Sequence, residues 1–144
     1  MGDYGESEPE ASVDIPGVEQ LDENAYVRFI QDNNASVILF YKDADDKFEQ
    51  AKQSLTEAAQ KNNKRNQAYG ALNCKENICF CYDKKVFDEA PLFHLYSHGK
   101  MVHSFEYDVD TNHMKNALEK AAQGTKRKGF FKSMCSCVSS QGED

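Results

Sequence analysis

No apolar run in the 144 residues is long enough for a membrane-spanning helix, which needs about 18. The N-terminus is acidic and lacks the basic start and apolar stretch of a secretory signal. A cytoplasmic location is the expectation, with the endoplasmic reticulum lumen as the alternative if a signal has been removed. The N-myristoylation pattern fails because Glu6 stands where serine or threonine is required. Positive charge is in deficit, with a formal net charge of −7, which argues against nucleic acid as a partner. The five cysteines never fall as Cys-x-x-Cys, the spacing of an attacking thiolate with its resolving sulfur. No internal repeat is present.

What is present is uneven. Residues 1–17 hold Asp3, Glu6, Glu8, Glu10 and Asp14 and no Lys or Arg, with Pro9, Pro16 and three glycines, and read as an acidic flexible segment. Residues 124–144 read as a flexible tail that is basic at its start: Lys126, Arg127, Lys128 and Lys132 meet no acid, and Cys135 and Cys137 follow. Between them, residues 18–123 carry the pattern of one domain, a length able to bury a core.

Along that domain, Val18 to Leu21 suits a short edge strand. Asp22 suits an N-cap, with Tyr26, Phe29 and Ile30 on one helix face. Residues 36–41 form an apolar run suited to a central strand. Phe48, Ala51, Leu55, Ala58 and Ala59 recur at helical spacing, so a helix runs from about 46 to 62, with Asp45 and Asp46 at its positive end. A strand follows at 67–72, then a short irregular helical stretch at 78–87. Strands at 92–96 and 101–107 form a hairpin about Ser97–Lys100. Thr111 starts a last helix with Met114, Leu118 and Ala121 facing inward, ending at Gly124. Phe40, Leu55, Leu72, Leu95 and Phe105 are the expected core.

The order β-α-β-α-β-α-β-β-α resembles that of thioredoxin-like proteins. From Phe40-Tyr41 to Ala58-Ala59 the chain is similar, without a gap, to the active-site segment of protein disulfide isomerase domains. Gly70-Ala71-Leu72-Asn73-Cys74 resembles that family's third strand, Ala90-Pro91 its cis-proline and His98-Gly99-Lys100 its hairpin turn. The resemblance covers about residues 18–123. It implies an α/β, thioredoxin-like fold, a mixed central sheet flanked by helices, and a cis bond before Pro91. In that alignment Asp45 and Phe48 occupy the two Cys-x-x-Cys positions, and a carboxylate and a phenyl ring cannot exchange a disulfide.

Several groups are candidate sites. Lys42, Asp43, Ala44, Asp45, Asp46, Lys47 and Phe48 form either a degenerate active-site loop beside Pro91 that binds a peptide, or a solvated turn with an acidic helix cap. Calcium held in an EF-hand loop is excluded, because Lys47 takes the fifth position and no glycine follows. The loop also looks somewhat like one in calsequestrin, built of cysteine-poor thioredoxin-like domains that bind calcium through broad acidic surface, a role for which this acid excess is modest. Cys74 and Cys81 resemble a secondary disulfide of some protein disulfide isomerase domains; in a reducing compartment they would pack as thiols. With Cys79 they match no familiar zinc spacing, so no metal is expected. No serine or cysteine motif points to His94 as a base, and a buried or rim histidine is the simpler reading. The tail segment Lys126-Arg127-Lys128-Gly129-Phe130-Phe131-Lys132 suits contact with an anionic membrane surface, with Cys135 and Cys137 as lipidation or redox sites. Pairing of the tail with the acidic head, or no role, are the other readings.

The functional expectation is a redox-inactive, protein-binding or chaperone-like module that takes a protein or peptide partner and no cofactor. The alternatives are a thiol–disulfide oxidoreductase working through cysteines outside the usual site, and a membrane-tethered adaptor.

Overall fold

The computed structural model describes residues 14–62 and 64–124. Five strands and four helices follow one another along the described residues: β1 (Val18–Leu21), α1 (Glu23–Asp32), β2 (Ala35–Tyr41), α2 (Asp46–Gln60), β3 (Gln67–Asn73), α3 (Ile78–Asp83), β4 (Leu92–Ser97), β5 (Lys100–Glu106) and α4 (Thr111–Gly124). The strands form one sheet in the order β1-β3-β2-β4-β5. The first three are parallel, and β4 and β5 are antiparallel to their neighbours. This is the mixed, helix-flanked α/β sheet that the resemblance implies.

The central position of β2 follows from its composition. All seven of its residues are buried, because helices cover both faces and no polar alternation is needed. Its odd-numbered residues Val37, Leu39 and Tyr41 join the core that α2 and α4 cover, with Leu55, Phe93, Met114 and Leu118. Its even-numbered residues Ile38 and Phe40 join a second core under α1 and α3, with Tyr26, Phe29, Leu72 and Tyr96. The two faces thus separate by the two-residue period of the strand. All five expected core residues, Phe40, Leu55, Leu72, Leu95 and Phe105, are buried.

Side-chain caps fix the starts of the first two helices. The Ala25 amide donates to the Asp22 carboxylate at 2.8 Å, and the Phe48 amide donates to the Asp45 carboxylate at 2.9 Å. Gly70 allows α1 to approach the sheet: a Cβ there would stand 2.8 Å from Leu21 Cδ1 and 3.1 Å from Phe29 Cζ. The β4–β5 turn is closed by His98 and Gly99, both at positive φ, the geometry that matches hairpin twist.

Two details differ from the sequence reading. Ile15 is buried in the α2–α4 core, and the Val18 amide donates to its carbonyl, so packing begins ahead of Val18 and within the segment read as flexible. In α4 the third fully inward residue is Ala122, with Ala121 half-buried, because Met114, Leu118 and Ala122 follow one another at i, i+4 spacing along one helix face. In β5, an edge strand, Phe105 is the buried residue, as the expected core has it. The tail residues Lys126–Lys132, Cys135 and Cys137, and the acidic residues before Val13, lie outside the described residues.

Candidate binding groove

Residues 42–45 leave the end of β2 and enter α2, so the loop sits at the carboxyl ends of the parallel strands, where open α/β sheets place ligands. The loop is held locally. Asp43 pairs with Lys75 at 2.7 Å, both half-exposed. The Lys42 ammonium lies 5.0 Å from the centre of the Phe87 ring, and that of Lys47 lies 5.6 Å from the Tyr107 ring, within cation–π range. Asp43, Ala44, Asp45, Asp46 and Lys47 are exposed and Lys42 is half-buried.

Phe48 departs from its place in the exposed loop. It is 2 % exposed, with its ring 5.1 Å from that of Tyr41. Its amide is tied to the Asp45 cap, which turns the side chain down into the core. The Tyr41 phenol is pushed up to about 12 by burial, with Glu76 adding to the effect, so it carries no charge near neutral pH. The position therefore presents an apolar foundation where the loop needs rigidity, rather than a reactive group.

The Ala90–Pro91 peptide bond is cis. Pro91 shares a groove of about 510 Å³ with Lys47, Asp88, Glu89, Ala90, Leu92 and the β5 segment Ser104–Tyr107. The groove thus joins the start of α2, the segment around Pro91 and the edge strand. Asp88, Glu89 and Glu106 were not singled out from the sequence, because nothing local places an acid of β5 opposite a pair that precedes Pro91.

Cys74 and Cys81 form a disulfide with a Cα–Cα distance of 5.6 Å. Both are fully buried in the core under α3. The Cys74 amide donates to the Tyr41 carbonyl at 2.7 Å, which places the bridge beneath the root of the loop. Cys79, on the outer side of α3, is an exposed free thiol. Among the described residues, no group of His, Cys, Asp and Glu is arranged to hold a metal ion, and no helix is long and apolar enough to cross a membrane.

No protein-family model matches the chain, and neither does any curated protein. Solved structures do. A mutant thioredoxin from Halobacterium salinarum NRC-1 is 18% identical, with a TM-score of 0.62 over 77% of this chain and 96% of that one. Mitochondrial thioredoxin 3 from Saccharomyces cerevisiae, in its oxidized form, is 19% identical with a TM-score of 0.55 over 74% and 94% of the two chains. Human ERp44 is 11% identical with a TM-score of 0.63; the match covers 76% of this chain but only 30% of that longer one. The chain has a thioredoxin-like fold.

Within this thioredoxin-like fold His94 lies inside the sheet rather than in the groove. Its ring stands 5.1 Å from Phe40 and 6.2 Å from Tyr96. Burial lowers its pKa from the usual 6.5, and the nearby Lys84 charge lowers it further. The sign of the linkage is fixed by that direction. Between the lowered folded value and 6.5 the unfolded chain binds the proton and the folded one does not, so stability falls as pH falls through this window. The melting temperature is expected to drop between pH 7 and pH 5, and to drop less in His94→Gln. Equal drops in the two proteins would remove His94 as the cause.

Proposed function

We propose that this chain is a non-catalytic thioredoxin-like module that binds, in a chaperone-like manner, an extended segment of a partner protein. One observation carries the reading: the head of α2 holds a capping carboxylate at Asp45 and a core phenyl ring at Phe48, with no sulfur at either place, beside an open groove. In the aligned protein disulfide isomerase segment these two positions carry the cysteines. Disulfide exchange needs an accessible thiolate and a second sulfur to resolve the mixed disulfide. The two bridged sulfurs are enclosed, and Cys79 is the one free thiol among the described residues. What the site retains is a shaped surface held by a rigid scaffold, and that supports recognition.

Insulin reduction tests the reading. Turnover with this protein is expected to equal that of buffer and reductant alone. Turnover that disappears when Cys74, Cys79 or Cys81 is replaced by serine would overturn it in favour of an oxidoreductase working through those sulfurs.

A further inference from the structure

We propose that the groove beside Pro91 selects an extended peptide segment rich in lysine or arginine. The inference rests on the reading of this groove as the binding surface, and adds the chemistry of the occupant.

Pro91, Leu92, Phe105 and the half-buried Tyr107 make up the apolar part of the lining. The charge on its walls is one-sided. Asp88 and Glu89 stand on the segment that leads into Pro91, and Glu106 stands at the end of β5, which pairs with Leu92 across the hairpin. All three are exposed. Among the described residues no ion pair or hydrogen bond engages their carboxylates. The only cation of the lining, Lys47, directs its ammonium to the face of Tyr107. Three carboxylates of like sign on the two walls of one groove repel each other while it is empty. A cationic segment relieves that repulsion, and an acidic one adds to it. The apolar lining accepts the aliphatic stems of lysine and arginine, or the small apolar residues between them, while the charged heads reach the rim. An acidic or neutral peptide meets the same lining without the charge match.

Fluorescence anisotropy of the full chain tests this with two labelled probes, a peptide of alternating valine and lysine and its counterpart of valine and glutamate. At low ionic strength the lysine peptide is expected to bind and the glutamate peptide to bind at least about tenfold more weakly, since three attractive charge contacts at the rim become three repulsive ones. Binding of the lysine peptide should weaken as salt screens the rim. The variant Asp88→Asn/Glu89→Gln/Glu106→Gln should lose about the same tenfold. A variant with the same charge change on β1 and α1, outside the groove lining, Glu19→Gln/Glu23→Gln/Asp32→Asn, should bind as the parent does. Equal binding of both probes, equal loss in both variants, or no binding of the lysine peptide would overturn the charge selection. None of these outcomes produces insulin turnover, so the non-catalytic reading is judged separately by that assay.

Discussion

Leu55→Ala is expected to lower the unfolding free energy by about 2–5 kcal/mol, the range for removing a large aliphatic side chain from a closed core. Leu55 has no exposed surface. It projects from α2 into the cluster formed with Leu39, Phe93, Met114 and Leu118, so β2, β4 and α4 all line the space its removal would leave. These walls are poorly able to collapse. β2 and β4 are held by their ladder, from Ala35↔Ser97 to Phe40↔Leu92, and α4 is fastened at its far end by the Ser97 hydroxyl donating to the Ala121 carbonyl at 3.0 Å. At its start the Thr111 hydroxyl donates to the Glu57 carboxylate of α2 at 3.0 Å. A cavity that cannot close keeps its full cost. Against a total stability of about 5–15 kcal/mol for a domain of this kind, the loss is large. Urea denaturation should show a lower midpoint with an unchanged m value, the mark of a changed stability rather than a changed denatured state. A loss below about 1 kcal/mol would mean that α2 is not seated on the sheet through this residue.

The fold was legible in the sequence wherever one periodicity ran long enough to be unambiguous. Phe48, Ala51, Leu55, Ala58 and Ala59 spell one helix face, and every one of them is buried. The apolar run at 36–41 reads best as a central strand, and all seven residues of β2 are buried. Legibility failed where a residue had no periodic neighbours. Ile15 is a single apolar residue between Asp14 and the turn at Pro16-Gly17, so nothing in its surroundings signals that it closes one end of the core. Phe48 belonged at once to a helical stripe and to the loop's aligned cysteine position; burial settled the matter for the stripe, because the Asp45 cap already holds its amide. The groove was the least legible feature. Its walls come from residues 47, 88–92 and 104–107, which the strand order β2-β4-β5 brings together. Local propensity carries no record of such pairings, and the acids on them read from the sequence only as a share of the net charge of −7.

Replacing both bridged cysteines, Cys74→Ala/Cys81→Ala, is expected to cost about 2–4 kcal/mol. The bridge closes a short loop, with a sequence separation of 7, for which the chain-entropy relation gives about 2.5 kcal/mol. The two sulfurs are also fully enclosed in the core under α3, so alanine leaves small gaps there. The effect should concentrate on α3. A helix of six residues is too short to hold itself in water and depends on its attachments. The bridge is the firmest of these, and the wall of the groove hangs from it in sequence: the Val86 amide donates to the Cys81 carbonyl at 3.0 Å, and the Ala90 amide donates to the Val86 carbonyl at 2.9 Å. Asp88 and Glu89 lie within that span. Loss of the bridge should therefore speed amide exchange across residues 78–90 before the rest of the domain opens, and weaken binding of the lysine peptide along with stability. Cys79→Ser should do neither, since its thiol is exposed and outside the bridge. Reducing agent should reproduce the double variant in the parent protein and change nothing further in the variant itself. A double variant with parental stability and parental exchange across α3 would show that packing alone holds this wall, and that the sulfur bridge is not what keeps the groove in shape.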